Sequence, residues 1–259
     1  MLRTDVSHSA RIWNYWLGGK DNYLVDQEVG EQILSFVPEL VRSARADRQF
    51  LARAVQFLVR EAGIRQFLDI GTGLPTVDNT HEVAQRLDPT CRIAYVDNDP
   101  LVLTHAHALL TSTPEGATAY IDADVHDPEK ILQMAARTLD FSQPVAITML
   151  GIVNFVLDTD EAQAIVHRLL DGLPSGSYLA ISHPTTEVDA EAMTEAVRFW
   201  NGQGSARMTL RTREEVLRFF DKVELIEPGV VSCSRWRPDA VSRDEIVDVT
   251  HFCGVGKKP

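Results

Sequence analysis

The chain has 259 residues, 44% hydrophobic and 24% charged, a globular balance with room for one large domain or two small ones. Its formal net charge of −12 opposes a phosphate backbone, so nucleic acid is not expected as its main partner. Three cysteines without a CxxC, Cys91, Cys233 and Cys253, predict no metal site and no disulfide framework; no apolar run suggests a membrane span, and MLRTDVSHSARIW lacks a signal core, so the cytoplasm is expected.

The first sixty residues read as helices. Residues 11–23, RIWNYWLGGKDNY, open as an aromatic helix and break at Gly18-Gly19, where glycine tolerates positive φ. Residues 41–61 place Phe50, Ala54, Phe57 and Leu58 at helical spacing. Arg42, Arg45 and Arg48 recur along the same stretch, with Arg42 expected in solvent.

The pattern then changes. Short apolar runs at 66–70, 92–96, 117–121, 145–150 and 177–182 alternate with helical stretches near 79–87, 100–110, 128–138, 160–170 and 188–201. Five such units predict a parallel sheet with helices on both faces. A helix near 213–220, a strand KVELIE (222–227) and a final strand DVTHFCGVG (248–256) suit an antiparallel pair closing that sheet. No linker divides the chain. The expected architecture is one α/β unit, with residues 63–259 as its core and 1–62 as a helical N-terminal extension.

In an open parallel sheet, ligands bind beyond the carboxyl ends of the strands. After the first run comes Asp69-Ile-Gly71-Thr-Gly73, whose glycines let backbone approach a ligand closely. Asn79-Thr-His-Glu82 follows as a capping box. A dinucleotide fingerprint would want Gly or Ala at Thr76, and Asp69 would repel a pyrophosphate; Asp69 suits a cationic amine. After the second run, Asp97 is placed to accept both hydroxyls of a ribose, while Asp99-Pro100 caps a helix. After the third, Asp127-Pro128 is the cap, leaving Asp124 to accept from an adenine amino group. Three carboxylates at three successive strand ends describe a ligand made of a nucleoside and an amine.

This order, from about residue 66 to 256, resembles the class I S-adenosylmethionine-dependent methyltransferases. A closer resemblance rests on SARIWNYWLGGKDNY, DIGTGLPT, NTHEVAQ, YVDNDP and EPGVV…WRP. These words are similar to the bacterial S-adenosyl methyltransferase family once catalogued as DUF574. The segment GIVNFV departs from it by carrying Asn154 where the resemblance leads one to expect a histidine nearby.

The resemblance implies a Rossmann-like fold, with a mostly parallel seven-stranded sheet and an antiparallel C-terminal strand. It implies S-adenosylmethionine as cofactor. Asp69, Gly71 and Gly73 would wrap its methionine part, and Asp97 would take the ribose. Asn98 would flank the adenine, and Asp124 with the Val125 backbone would read its edge. The segment from Leu150 to Val153 would line the sulfonium side. An N-terminal extension on such a fold covers the cleft, so Trp13, Trp16 and Tyr23 become candidates for a cover. Lys20, Asn22 and Arg48 become candidates for the cofactor carboxylate or the acceptor.

Methyl transfer from an activated sulfonium needs alignment and dryness, and a general base only where the acceptor must lose a proton. His183, ahead of His126, is the candidate base. The NPPY-type motif of base and glutamine methylation is missing, which favours a small-molecule acceptor. A non-catalytic S-adenosylmethionine-binding protein and an NAD(P)-dependent oxidoreductase are the competing readings.

Overall fold

In the computed structural model, residues 5–76, 78–109, 111–203, 206–238 and 246–259 are described. The chain opens with α1 (Ser9–Trp16), α2 (Leu24–Phe36) and α3 (Leu40–Arg60). Alternation then begins: β1 (Gln66–Ile70), α4 (Thr80–Leu87), β2 (Arg92–Asp97), α5 (Pro100–Leu109) and β3 (Ala117–Asp122). It continues through α6 (Pro128–Ala135), β4 (Ala146–Leu150), α7 (Thr159–Asp171), β5 (Tyr178–Pro184) and α8 (Ala190–Asn201). The chain closes with α9 (Arg213–Leu217), β6 (Glu224–Leu225), β7 (Val231–Ser232) and β8 (His251–Lys257).

The sheet runs β3-β2-β1-β4-β5-β8-β6, with β7 also paired to β8. The first five strands are mutually parallel, and β8 lies antiparallel to β5, β6 and β7. Where seven strands were expected, eight segments form among the described residues. The expected strand KVELIE keeps only Glu224–Leu225, and a second short piece resumes at Val231. Between them lie Pro228, which has no N–H to donate, and Gly229, at φ 83°. The last strand starts at His251 rather than at 248.

Helices cover both faces, so strand residues are buried on both sides and read as continuous apolar runs. Leu68, Ile70, Ile147, Met149, Leu179 and Ile181 point to the face packed by Ile131 of α6 and Leu169 of α7. Phe67, Ile93, Tyr95, Ala146, Tyr178 and Ala180 point to the other face, under α3 and α4. Phe50, Ala54, Phe57 and Leu58 are all buried there, and Trp236 meets Phe50 and Phe57 edge to face.

A third cluster stands apart from the sheet. Ile12 and Trp16 of α1, Val29 and Ile33 of α2, and Met193 and Trp200 of α8 pack together. It is tied down by a buried ion pair, Arg11 Nε to Asp26 at 2.9 Å. Asp26 also accepts from the backbone N–H groups of His8 (2.9 Å) and Tyr23 (2.8 Å). These bonds join α1 to α2, and the packing of both helices against α8 seats the pair.

Candidate active site

The strand ends open into one cavity of about 360 Å³. Asp69, Ile70, Gly71, Thr72, Gly73 and Thr76 line it from the turn after β1, and Asp97 and Asn98 from the end of β2. Asp124, Val125 and His126 line it after β3, and Leu150, Gly151, Ile152 and Asn154 after β4. Gly71 and Gly73 take φ of 76° and 64°, the left-handed region where a side chain is strained. A Cβ on Gly71 would also lie 2.7 Å from the Cβ of Ile152.

The three carboxylates are held differently. Asp69 is buried between two hydroxyls, with Thr148 Oγ1 at 2.9 Å from one oxygen and Thr80 Oγ1 at 2.6 Å from the other. Burial raises its pKa, opposed by these two bonds and by the Arg48 charge. Asp97 accepts from the backbone N–H of Gly73 at 3.0 Å and of Asp99 at 2.9 Å; burial pushes its pKa up as well. Asp124 accepts from Asn98 Nδ2 at 2.8 Å and from the His126 backbone N–H at 2.9 Å. Desolvation pushes its pKa up, but the bonds from His126 and Asn98 more than offset this, and the carboxyl sits below its ordinary value.

Arg48 brings a cation to the same cavity, with Nη2 at 3.1 Å from Asn79 Oδ1. Burial lowers its pKa, and Asp69 is the strongest charge opposing that. Arg42 and Arg45, on the same helix, are exposed.

Helix α1 forms the roof. His8, Ala10, Trp13, Asn14, Trp16 and Leu17 all line the cavity, and His8 Nδ1 lies 3.1 Å from Asp99 beyond β2. Lys20, Asn22 and Tyr23 are not brought to the cavity. Lys20 is exposed. Asn22 donates to Asn14 Oδ1 at 2.9 Å and to the Gly19 carbonyl at 3.0 Å. Tyr23 stacks on the Arg11 guanidinium, 5.1 Å from its ring centroid. The LGGKDNY turn is built around Asn14 and closes α1 as a Schellman motif. Gly19 N–H donates to the Asn14 carbonyl and Gly18 N–H to that of Tyr15, with Gly18 at φ 80°. Gly19 is not at positive φ; a Cβ there would instead overlap the Asn14 amide.

His183 also lies outside the cavity lining and is fully buried. Its Nε2 is 2.8 Å from Arg211 Nη1, and a guanidinium only donates, so Nε2 accepts. Nδ1 therefore carries the proton and donates to the Pro184 carbonyl at 2.8 Å. Burial first and the Arg211 charge second lower its pKa to about 3. With both nitrogens engaged, the ring has no position free for a substrate proton.

A family of S-adenosyl methyltransferases matches the chain over residues 1–259. The chain belongs to this family. It is 48% identical to a DUF574 family protein of Streptomyces avermitilis, with a TM-score of 0.94 and 99% of each chain covered. It is 40% identical to a candidate methyltransferase of Thermobifida fusca, at TM-score 0.90, covering 98% of this chain and 97% of that one. An S-adenosylmethionine-dependent methyltransferase of Anabaena variabilis shares the fold at 15% identity, TM-score 0.56, with 90% and 94% covered. No curated protein matches the chain.

As a member of the S-adenosyl methyltransferase family, the chain uses S-adenosylmethionine as methyl donor. Its cavity fits that group. A carboxylate row, a half-buried cation and two left-handed glycines meet in one space, and the Thr76 hydroxyl there is buried with no partner among the described residues. Sequence reasoning passed over Thr80 and Thr148, which position Asp69, and over His8, Asp47, Asn14 and His251, which line the cavity. The sequence signal for Asp47 was available: it is a carboxylate within the apolar stripe of α3, at helical spacing from Phe50, Leu51 and Ala54.

Proposed function

We propose that this S-adenosyl methyltransferase alkylates a small molecule, which enters the cavity between the carboxylate row and the aromatic roof of α1. The reading is of a bacterial cytoplasmic enzyme acting on neither nucleic acid nor membrane, in line with the charge of −12. Residues 1–62 serve as its helical cover and 63–259 as its catalytic core.

S-adenosylmethionine supplies a methyl group already activated on a sulfonium. The chain's own residues align and desolvate. Asp97 takes the ribose hydroxyls. Asn98, Asp124 and the Val125 backbone take the adenine. The Gly71–Gly73 turn, with Asp69 and Arg48 of opposite charge behind it, takes the amino acid part. Leu150 and Gly151 flank the sulfonium. Trp13 and Trp16 exclude water from above. Asn22 and Tyr23 act one step removed, by holding the turn that seats α1; Lys20 stays in solvent, and His183 serves the fold beside Arg211.

The observation that carries this reading is the convergence of Asp69, Asp97, Asp124 and Arg48 on one cavity under α1. Calorimetry with S-adenosylhomocysteine and with NADH tests it. Heat and a thermal shift with the first alone support it; the reverse pattern overturns it.

A further inference from the structure

The sheet order divides the cavity. The carboxylates come from the ends of β1, β2 and β3, on one side of β4. On the other side, toward β5 and β8, the lining changes character: Trp13, Phe155, Met193, Trp200 and Met208 form an apolar chamber. Trp200 is tilted against both Trp16 and Phe155, with centroids 6.4 and 6.5 Å away. Flat, polarisable walls of this kind suit a planar apolar ligand.

Two polar atoms interrupt that wall, and neither has a partner among the described residues. Asn154 is 3% exposed, with its Oδ1 buried and unbonded, in the short turn after β4. His251 is 4% exposed, with its Nδ1 buried and unbonded, at the start of β8 opposite Pro184. Its ring meets Trp13 edge to face at 5.7 Å. Both side chains line the cavity. A buried polar group left unpaired is costly, and native structures leave few of them. Burial also lowers the pKa of His251 to about 4, so at neutral pH the ring is uncharged and has a nitrogen able to accept. The carboxylate beside this chamber, Asp47, is already approached by the Cys233 thiol at 3.9 Å.

We propose that the far side of the cavity binds an uncharged aromatic molecule carrying hydroxyl groups, which donate to His251 Nδ1 and Asn154 Oδ1. The inference rests on the methyltransferase reading, because it takes this chamber as the acceptor's place. It narrows the acceptor to planar, neutral, hydrogen-bond-donating compounds. Anionic aromatics are disfavoured, since the two unpaired acceptor atoms offer a carboxylate no hydrogen bond.

The test uses the full chain saturated with S-adenosylhomocysteine, titrated with four naphthalenes. These are 2,3-dihydroxynaphthalene, 2-naphthol, 2-methoxynaphthalene and 2-naphthoate. Affinity should fall in that order, with the dihydroxy compound about tenfold or more tighter than the methoxy compound, as for a site whose polar groups are left unpaired by the wrong ligand. In His251→Phe and Asn154→Leu the gap between those two probes should shrink severalfold, while S-adenosylhomocysteine binds as before. Equal affinity for the dihydroxy and methoxy compounds, preference for the naphthoate, or no binding of any probe overturns the inference and leaves the methyltransferase reading standing. Failure of S-adenosylhomocysteine to bind in the first step overturns both.

Discussion

Asp97 and Gly73 are joined by a hydrogen bond of 3.0 Å, from the backbone N–H of the glycine to the carboxylate. It ties the end of β2 to the turn after β1, so the group proposed for the ribose also holds the loop proposed for the methionine part. Asp97→Ala removes both functions. Its affinity for S-adenosylhomocysteine should fall by about 1.5–3 kcal/mol, the range for charge-assisted bonds. Calorimetry reads the affinity, and circular dichroism should show a folded chain. An unchanged dissociation constant would take Asp97 out of the site.

The LGGKDNY turn separates two roles of glycine. Gly18→Ala has open space for its Cβ but meets a φ of 80°, and should cost about 1 kcal/mol of stability. Gly19→Val drives its side chain into the Asn14 amide and should cost about 3 kcal/mol. Lys20→Ala, on an exposed side chain, should leave both stability and cofactor affinity unchanged. Urea denaturation orders the three; a Lys20 variant with weakened cofactor binding would return that residue to the site.

Asp26 is the buried anchor of the N-terminal helices. In Asp26→Ala the Arg11 guanidinium keeps its burial and loses its partner at 2.9 Å, along with the acceptor for the His8 and Tyr23 N–H groups. Removing one member of a buried pair costs about 3–5 kcal/mol. The expected result is a large drop in the urea midpoint. Cofactor binding should weaken with it, because α1 roofs the cavity.

Asp47 makes stability depend on pH. Burial raises its pKa from 3.8 to about 6. The folded chain therefore holds this proton more tightly than the unfolded chain does. The stabilisation is fully present below 3.8 and is lost as pH rises through about 6. Asp47→Asn, which is never charged, should gain stability relative to the native chain more at pH 7.5 than at pH 4.5. Denaturation at both values checks the sign. An equal difference at the two pH values would show that Asp47 titrates normally.

Most of the frame was legible because its signals are local. Strand β1 lies at residues 66–70 as expected, since a strand covered on both faces must be an unbroken apolar run. Asp127-Pro128 opens α6, with the Asp127 side chain accepting from Lys130 N–H, because a cap is written within four residues. The sixth strand is shorter than expected: of KVELIE only Glu224 and Leu225 pair with β8, at Lys257 and Gly256.

The sequence by itself determined the alternation of strands and helices, their caps, and a carboxylate placed at each of three strand ends. These depend on backbone periodicity and on which residue follows a strand, and neighbours in sequence decide both. Only the tertiary structure decided which side chains share the cavity. His183 and His251 both stand near strand ends, yet Arg211, arriving from 28 residues further on, occupies the first ring, while antiparallel pairing with Pro184 leaves the second facing the cavity. Trp13, Phe155, Met193 and Trp200 meet for the same reason: α1, the turn after β4, and α8 are brought together by burial of apolar surface, which acts across any sequence distance.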